Sequence, residues 1–161
     1  MKTSDNAIET KQSQALAVLF LSIASSNGAA DGLHMIATQR ERGTRKAADL
    51  NARVVHEFVE IGVSAADYHN RPAIAKLLAY LDRQPDVRYV IFPKIGRVSR
   101  VLEDFHELMS QFDNRGVIVM FPYGNPEMSP AAREALWRIT EWTRERSPAA
   151  RAHRRRKAST T

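Results

Sequence analysis

The sequence predicts an α/β fold in which a mostly parallel sheet is flanked by helices. Two short apolar runs, residues 87–93 and 117–121, have the composition of strands that are buried on both faces. Helical patterns lie before, between and after these runs, so strands and helices alternate along the chain. With 161 residues, the chain is long enough for one domain with short extensions.

Shorter elements are predicted for the N-terminal part of the chain. Residues 15–24 form the longest apolar run, which fits a buried helix or a buried strand. The small and polar residues 25–32 indicate a linker. Residues 33–38 have the composition of a short strand, and the charged residues 39–46 indicate a loop.

Helical spacing of apolar residues occurs in four places. The first predicted helix covers residues 47–61, stops at Gly62 and has its apolar face at Leu50, Val54, Val55, Phe58 and Val59. The second begins near Pro72, with Ile74, Leu77, Leu78 and Leu81 on one face. The third follows Arg100, with Leu102, Phe105, Leu108, Met109 and Phe112. The last begins at Pro130, with Ala135, Leu136, Ile139 and Trp142.

The net charge of +6 lies entirely at the C-terminal end of the chain. Residues 143–161 hold seven of the 24 basic side chains and one of the 18 acidic ones, so the remainder is electrically neutral. A basic tail favours a polyanion such as DNA, because each cation that contacts a phosphate releases a bound counterion. The predicted DNA-binding residues of the tail are Arg151, Arg154, Arg155, Arg156 and Lys157. The alternative is a tail that only keeps the protein in solution.

The composition excludes several classes of protein. Without cysteine there is no disulfide framework, no thiolate catalysis and no cysteine-based zinc site. The longest apolar run has ten residues, whereas a transmembrane helix needs about 20. That run has the length of a signal peptide, but acidic residues offset the basic ones before it, so the positively charged segment is missing. The expected location is the cytoplasm.

Basic residues follow the strand predicted at 87–93, at the sheet edge where parallel α/β folds bind ligands. Lys94, Arg97 and Arg100 occupy this position, and two arginines three residues apart share one face of a helical turn. Their guanidinium groups suit a phosphate, because each offers a permanent charge and a fork of donors. The alternative is a solvated basic turn.

The histidines and tryptophans carry weaker signals. His69 and His106 lie on different predicted elements without paired carboxylates, so no metal ion is expected. No cofactor is expected either, since neither common type of glycine-rich phosphate loop is present. Trp137 and Trp142 are five residues apart on the last helix, so one is expected in the core and the other at an interface.

Two motifs in the middle of the chain resemble the resolvase/invertase family of serine recombinases. Residues 97–100, RVSR, are similar to the D-R-L-S/G-R signature of that family. Residues 71–78, RPAIAKLL, are similar to its R-P-x-hydrophobic-x-x-L-L helix. The helix that follows Arg100, and the Gly116-Val117 pair after it, resemble the family's long helix and the strand that it precedes. The resemblance covers roughly residues 33–156.

The resemblance implies a three-layer, resolvase-like fold and a division of the chain into three parts. These are an N-terminal extension with one apolar element at 1–32, a catalytic domain at 33–146 and a basic tail at 147–161. It also implies a homodimer through the helix at 131–146, because residues 142–146 lie where the family has part of its dimerisation helix.

The resemblance further implies a chemistry. In that family a serine hydroxyl attacks a DNA phosphodiester, forms a phosphoseryl link and releases a 3′ hydroxyl without a metal ion. Arg71, Arg97 and Arg100 match family arginines that stabilise the charge developing on the phosphate.

The aligned positions lack the nucleophile. The family's first strand reads Y-x-R-x-S, and an alignment on the predicted helix at 47–61 places Met35 at the arginine and Ala37 at the serine. Gly96 stands where the family has an aspartate. Thr38 offers an alternative hydroxyl. If residues 15–24 are the first strand, the alternatives are Ser22, Ser25 and Ser26.

Three functional hypotheses follow from these departures. The first is a DNA-binding, serine-recombinase-like protein that is linked to DNA recombination and has lost strand cleavage. The second is an active site-specific recombinase with an unrecognised serine or threonine nucleophile. The third is a dimerising protein-interaction module with a basic tail.

Overall fold

A computed structural model describes residues 13–24, 29–123 and 129–146. These residues form a four-stranded, all-parallel sheet with the order β2-β1-β3-β4, flanked by four helices. The predicted α/β fold with a parallel central sheet is confirmed.

Strands and helices alternate through the described residues. The strands are β1 (Ala15–Ile23), β2 (Ala52–Ile61), β3 (Val87–Ile91) and β4 (Ile118–Met120). The helices are α1 (Ala29–Asp49), α2 (Pro72–Arg83), α3 (Leu102–Asn114) and α4 (Pro130–Arg146). Short 3-10 turns cover Tyr68–Asn70 and Ile95–Arg97.

Strand β1 lies in the middle of the sheet. It pairs with β2 along its whole length, whereas it pairs with β3 only from Leu16 to Leu19. Residues Ala17 to Ile23 are all buried, which explains why the sequence is apolar without alternation. The sequence offered two segments as the first strand, residues 15–24 and residues 33–38, and the structure places that strand in the first of them.

Helix α1 replaces three predicted elements. The strand at 33–38 and the loop at 39–46 are wrong, and so is the linker at 25–32 over its described residues, 29–32. Its buried positions are Gly32, Ile36, Gly43 and Ala47. A Cβ atom on Gly43 would lie 2.9 Å from Leu19 Cδ2, so glycine permits the close approach of helix and sheet. Because two of the four buried residues lack a side chain, the sequence shows no continuous apolar face.

The predicted helix at 47–61 is also wrong, because residues 52–61 form β2. The register between β1 and β2 shifts at Ala17, where Val54 pairs with Ala17 and His56 with Val18. This bulge leaves Val55 unpaired and interrupts the alternation of a strand. Apolar residues consequently fall at positions 54, 55, 58 and 59, which imitates helical spacing.

Two hydrophobic clusters lie on opposite faces of the sheet. Residues Ile36 and Ala47 of α1 cover one face, where they pack against Leu19, Leu21 and Ile23. The opposite face is covered by the buried sides of α2 and α3, together with Trp137 of α4. The predicted starts of α2 at Pro72 and of α4 at Pro130 are confirmed.

We expect Leu77→Ala to lower the free energy of unfolding by about 2–5 kcal/mol, because Leu77 of α2 is 0% exposed and its truncation leaves a cavity. The matched control is Leu33→Ala, whose side chain on α1 is 68% exposed and should contribute less than about 0.5 kcal/mol. Urea denaturation of both variants measures the difference. Equal effects would contradict the packing described here.

Candidate active site

The carboxyl ends of the first three strands meet at one edge of the sheet. Ser22 lies near the end of β1, and Glu60 is its direct partner in the register with β2. The segment after β3 carries Lys94, Arg97 and Arg100 along the same edge. The location of these three basic residues agrees with the expectation for a parallel sheet.

The hydroxyl of Ser22 lies between a cation and a carboxylate. Arg97 Nε donates a hydrogen bond to Ser22 Oγ at 2.9 Å, and Arg97 Nη2 donates to the same oxygen. Ser22 Oγ donates to Glu60 Oε1 at 3.3 Å. The side chains of all three residues are buried, so these bonds form away from bulk water and fix the orientation of the hydroxyl.

Arg71 positions both Glu60 and the backbone that carries Arg97. Its Nη2 atom lies 3.0 Å from Glu60 Oε1 and 2.9 Å from the carbonyl oxygen of Arg97, and its Nη1 atom donates to the carbonyl oxygen of Val98. The guanidinium is 5.7 Å from the ring centre of Phe20, and the side chain is 0% exposed. Arg71 thus connects the end of β2 to the backbone that carries Arg97.

Gln39 of α1 binds the backbone of Ser22 on its other side. The main-chain N–H of Ser22 donates to Gln39 Oε1, and Gln39 Nε2 donates to the carbonyl oxygen of Ser22, each at 2.8 Å. Since β3 pairs with β1 no further than Leu19, no strand reaches Ser22 from that side. The amide of Gln39 supplies the pair of hydrogen bonds that a neighbouring strand would otherwise make.

Positive charge accumulates around the segment after β3. Burial and the neighbouring Arg71 lower the pKa of Arg97. Burial and Arg144 of α4 lower the pKa of Arg100. The Nε atom of Arg100 is buried without a hydrogen-bond partner among the described residues. These desolvated cations repel one another, so the arrangement favours an anion next to Arg97 and Arg100.

Helix α4 covers the segment of Lys94, Arg97 and Arg100 (residues 94–100), which we call the basic segment. Trp137 Nε1 donates to the carbonyl oxygen of Ser99 at 2.7 Å. Glu141 Oε2 accepts hydrogen bonds from Arg144, whereas its Oε1 atom is buried without a partner in the described part of the chain. A Cβ atom on Gly96 would lie 3.5 Å from that Oε1. A carboxylate from α4 therefore lies against the position where the resemblance has an aspartate.

Two cavities flank Arg97. The larger, of about 590 Å³, is lined by Ser22 and Lys94 and by residues of α1 that include His34 and Gln39. The smaller, of about 170 Å³, lies between the basic segment and α4. Arg97 and Lys94 line both cavities.

Other sequence-predicted residues lie elsewhere. Ala37 and Met35 are exposed residues of α1, not of a strand, so the basis for assigning the nucleophile position to Ala37 is removed. Thr38 Oγ1 donates to the carbonyl oxygen of His34 within α1. The remaining predicted residues lie outside the described part of the chain; they are Ser25, Ser26, Arg151, Arg154, Arg155, Arg156 and Lys157.

The two tryptophans of α4 differ in environment. Trp137 is buried against Phe105, which confirms the expectation that one tryptophan belongs to the core. Trp142 is exposed, and the guanidinium of Arg146 lies 4.3 Å from its ring centre.

The resolvase N-terminal domain family has a model that matches residues 24–160. The chain belongs to this family. It is thus a domain of the serine recombinase type, as the motifs at residues 71–78 and 97–100 predicted. The matched segment begins after Ser22, so the central strand β1 lies outside it.

Solved structures share the resolvase-type fold. The N-terminal catalytic domain of TP901-1 integrase is 23% identical, with a TM-score of 0.61 over 81% of this chain and 97% of that domain. A resolvase family site-specific recombinase from Streptococcus pneumoniae is 13% identical, with a TM-score of 0.60 over 92% of this chain and 100% of its own. The C-terminal catalytic domain of ISC1926 TnpA, an IS607-like serine recombinase, is 22% identical, with a TM-score of 0.57 over 77% of this chain and 78% of that one. No curated protein sequence matches the chain.

Two kinds of feature are absent from residues 13–24, 29–123 and 129–146. No group of three metal-ligating side chains occurs there. No described helix has the length and apolar character to cross a membrane.

We expect Gln39→Leu to destabilise the domain by about 2 kcal/mol, because it leaves the N–H and the carbonyl of Ser22 without partners at a part-buried position. Gln84→Leu, at an exposed residue after α2, is the control and should change stability by less than about 0.5 kcal/mol. The midpoints of urea denaturation provide the comparison. A Gln39→Leu variant as stable as the control would show that the amide does not support the end of β1.

Proposed function

We propose that this chain is a DNA-cleaving serine recombinase domain whose nucleophile is Ser22. The observation that carries the proposal is the position of the Ser22 hydroxyl at the end of the central strand, bonded by Arg97 and directed at Glu60. A positive group bonded to the oxygen stabilises the alkoxide, and a carboxylate beside the proton accepts it.

The reaction follows from this geometry and from the chemistry of the family. The Ser22 hydroxyl loses its proton toward Glu60, and its oxygen attacks the phosphorus of a DNA phosphodiester. The bond from phosphorus to the 3′ oxygen breaks, which leaves the 5′ phosphate on Ser22 and a free 3′ hydroxyl. Arg97 and Arg100 stabilise the negative charge that develops on the non-bridging oxygens.

Arg71 has a different task in this proposal from the one that the resemblance implies. Its donors bind Glu60 and the carbonyl oxygens of Arg97 and Val98, so these donors are not available to bind a phosphate. We assign it to positioning the carboxylate and the basic segment. Arg97 and Arg100 remain as the residues that contact the phosphate.

This proposal replaces loss of cleavage as the favoured hypothesis. Loss was inferred from Ala37, Met35 and Gly96, and the first two lie on α1 and not on the first strand. The domain is accordingly proposed to begin before Ala15, because β1 lies between β2 and β3.

A homodimer through α4 and DNA binding by the tail complete the proposal. Ile139 and Trp142 are large apolar side chains exposed on α4, and such side chains are typical of a surface that a second copy covers. The described edge of the sheet supplies the phosphate site, and the basic residues after 147 supply charge that is not specific for sequence.

The test of cleavage uses a duplex DNA pool with random bases on both sides of one central linkage. We expect the wild-type chain to form a covalent adduct that survives denaturing electrophoresis and carries phosphate on Ser22 by mass spectrometry. Ser22→Ala should abolish the adduct, whereas Ser110→Ala, at an exposed serine of α3, should not change it. Circular dichroism checks that both variants are folded.

An adduct on another hydroxyl, such as Ser25 or Ser26, would contradict the assignment to Ser22. A folded wild-type chain that binds the DNA pool without forming any adduct would favour the hypothesis that strand cleavage has been lost.

The tail is tested separately by its effect on the salt dependence of DNA binding. If the tail contacts four or five phosphates, the slope of log K against log salt concentration should be about −4. Deletion of residues 149–161 should bring the slope to about −1, because the rest of the chain is nearly neutral and keeps only the phosphate contact of Arg97 and Arg100. Fluorescence anisotropy across a salt series measures both slopes. Equal slopes would show that the tail contacts no phosphate and that all of the DNA contacts lie on the face of Arg97 and Arg100.

A further inference from the structure

The proposed cleavage needs a second proton transfer. When the bond to the 3′ oxygen breaks, that oxygen leaves as an alkoxide and has to take up a proton. A positioned acid accelerates such a step by about 10²–10⁴-fold. Glu60 faces the Ser22 hydroxyl and takes the proton of the nucleophile, so the second proton must come from another group.

Few groups that line the larger of the two cavities, the one that contains Ser22, can supply this proton. The arginines of the cavity, Arg42 and Arg97, do not lose a proton in proteins. The Thr38 hydroxyl and the Gln39 amide are not acidic enough, and both donate to backbone carbonyls. His34 and Lys94 are the titratable groups that remain among the residues lining this cavity.

Lys94 is closer in sequence to the phosphate-binding residues Arg97 and Arg100 than His34 is. It follows β3 directly, three residues before Arg97, and it lines both cavities that flank Arg97. Within the described residues its ammonium has no hydrogen bond and no carboxylate within 4.0 Å. His34 and Lys94 are both exposed residues, but His34 belongs to α1 and lines only the larger cavity.

The surroundings of Lys94 favour loss of its proton. Although the Lys94 side chain is exposed in part, desolvation lowers the pKa of its ammonium; Arg97, Arg144 and Arg100 lower it further, and Glu141 opposes them. A carboxyl group on residue 96 is absent, because this position is glycine. Lys94 is therefore the nearest charged group to Arg97 on its own segment that can release a proton.

We propose that Lys94 is the general acid that protonates the leaving 3′ oxygen while Ser22 attacks the phosphorus. The inference rests on the proposed function of Ser22. The ammonium gives one proton to the 3′ oxygen and becomes a neutral amine, as Glu60 takes the proton of Ser22, so charge and protons balance. In the reverse, joining step, the neutral amine takes the proton of the 3′ hydroxyl.

The experiment compares the random duplex pool in two forms, with oxygen or with sulfur at the bridging 3′ position of the central linkage. A thiolate leaves without a proton, because its pKa of about 8.5 is far below that of an alcohol. We expect Lys94→Met to slow formation of the Ser22 adduct by about 100-fold or more with oxygen and by less than about threefold with sulfur. Lys94→Arg should be as slow as Lys94→Met with oxygen, because it keeps the charge but not the acid.

The controls separate this inference from the proposed function. Lys76→Met, at an exposed lysine of α2, should react like the wild type with both pools, and thermal melting checks the folding of each variant. Equal losses for Lys94→Met with both pools, or rescue by Lys94→Arg, would reduce Lys94 to a phosphate-binding charge and overturn the inference. A sulfur-rescued defect in His34→Gln without one in Lys94→Met would assign the acid to His34. A wild-type chain that forms no Ser22 adduct with either pool would overturn the proposed function and this inference with it.

Discussion

The buried pair of Arg71 and Glu60 is the interaction on which the edge of the sheet depends. Removing two charges from water costs several kcal/mol for each, and the pair tolerates this because the guanidinium also binds two carbonyl oxygens. Three separate pieces of the chain are joined in this way: the end of β2, the start of α2 and the segment after β3. The Ser22 hydroxyl donates a hydrogen bond to Glu60 and accepts one from Arg97. The backbone of Arg97 is in turn bound by Arg71. Any change to either charge would therefore reach Ser22 through two routes.

The sequence predicted the second half of the fold better than the first, for physical reasons. Helices α2 and α3 have regular apolar faces, and Pro72 and Pro130 mark the starts of α2 and α4, so local signals were sufficient. Helix α1 packs through Gly32 and Gly43, and strand β2 contains a bulge, so neither shows the period of its own structure. The error in β2 then shifted the alignment of the first strand onto residues 33–37.

The candidate site was predictable only where its residues are close in sequence. Lys94, Arg97 and Arg100 follow one recognisable strand, and the parallel sheet determines the edge at which they lie. Ser22, Glu60 and Gln39 come from three other elements, and they meet because of the register of β1 with β2 and the packing of α1. The sequence alone carries no signal for Gln39, since a glutamine on a charged segment looks like any solvated residue. Ser22 was recognisable only as an alternative, once residues 15–24 were taken as a strand.

The central position of β1 has a consequence for synthesis of the protein on the ribosome. Ser22 is 75 residues from Arg97, which takes about 4–15 seconds to synthesise at about 5–20 residues per second. Once residues 29–61 have been made, β1, a continuous apolar strand, has α1 and β2 to cover it but no β3. Nascent chains that stall before residue 87 would thus expose one side of a strand that readily pairs with other chains. The same order of synthesis means that Ser22 emerges early and has no arginine beside its hydroxyl until more than half of the chain has been made.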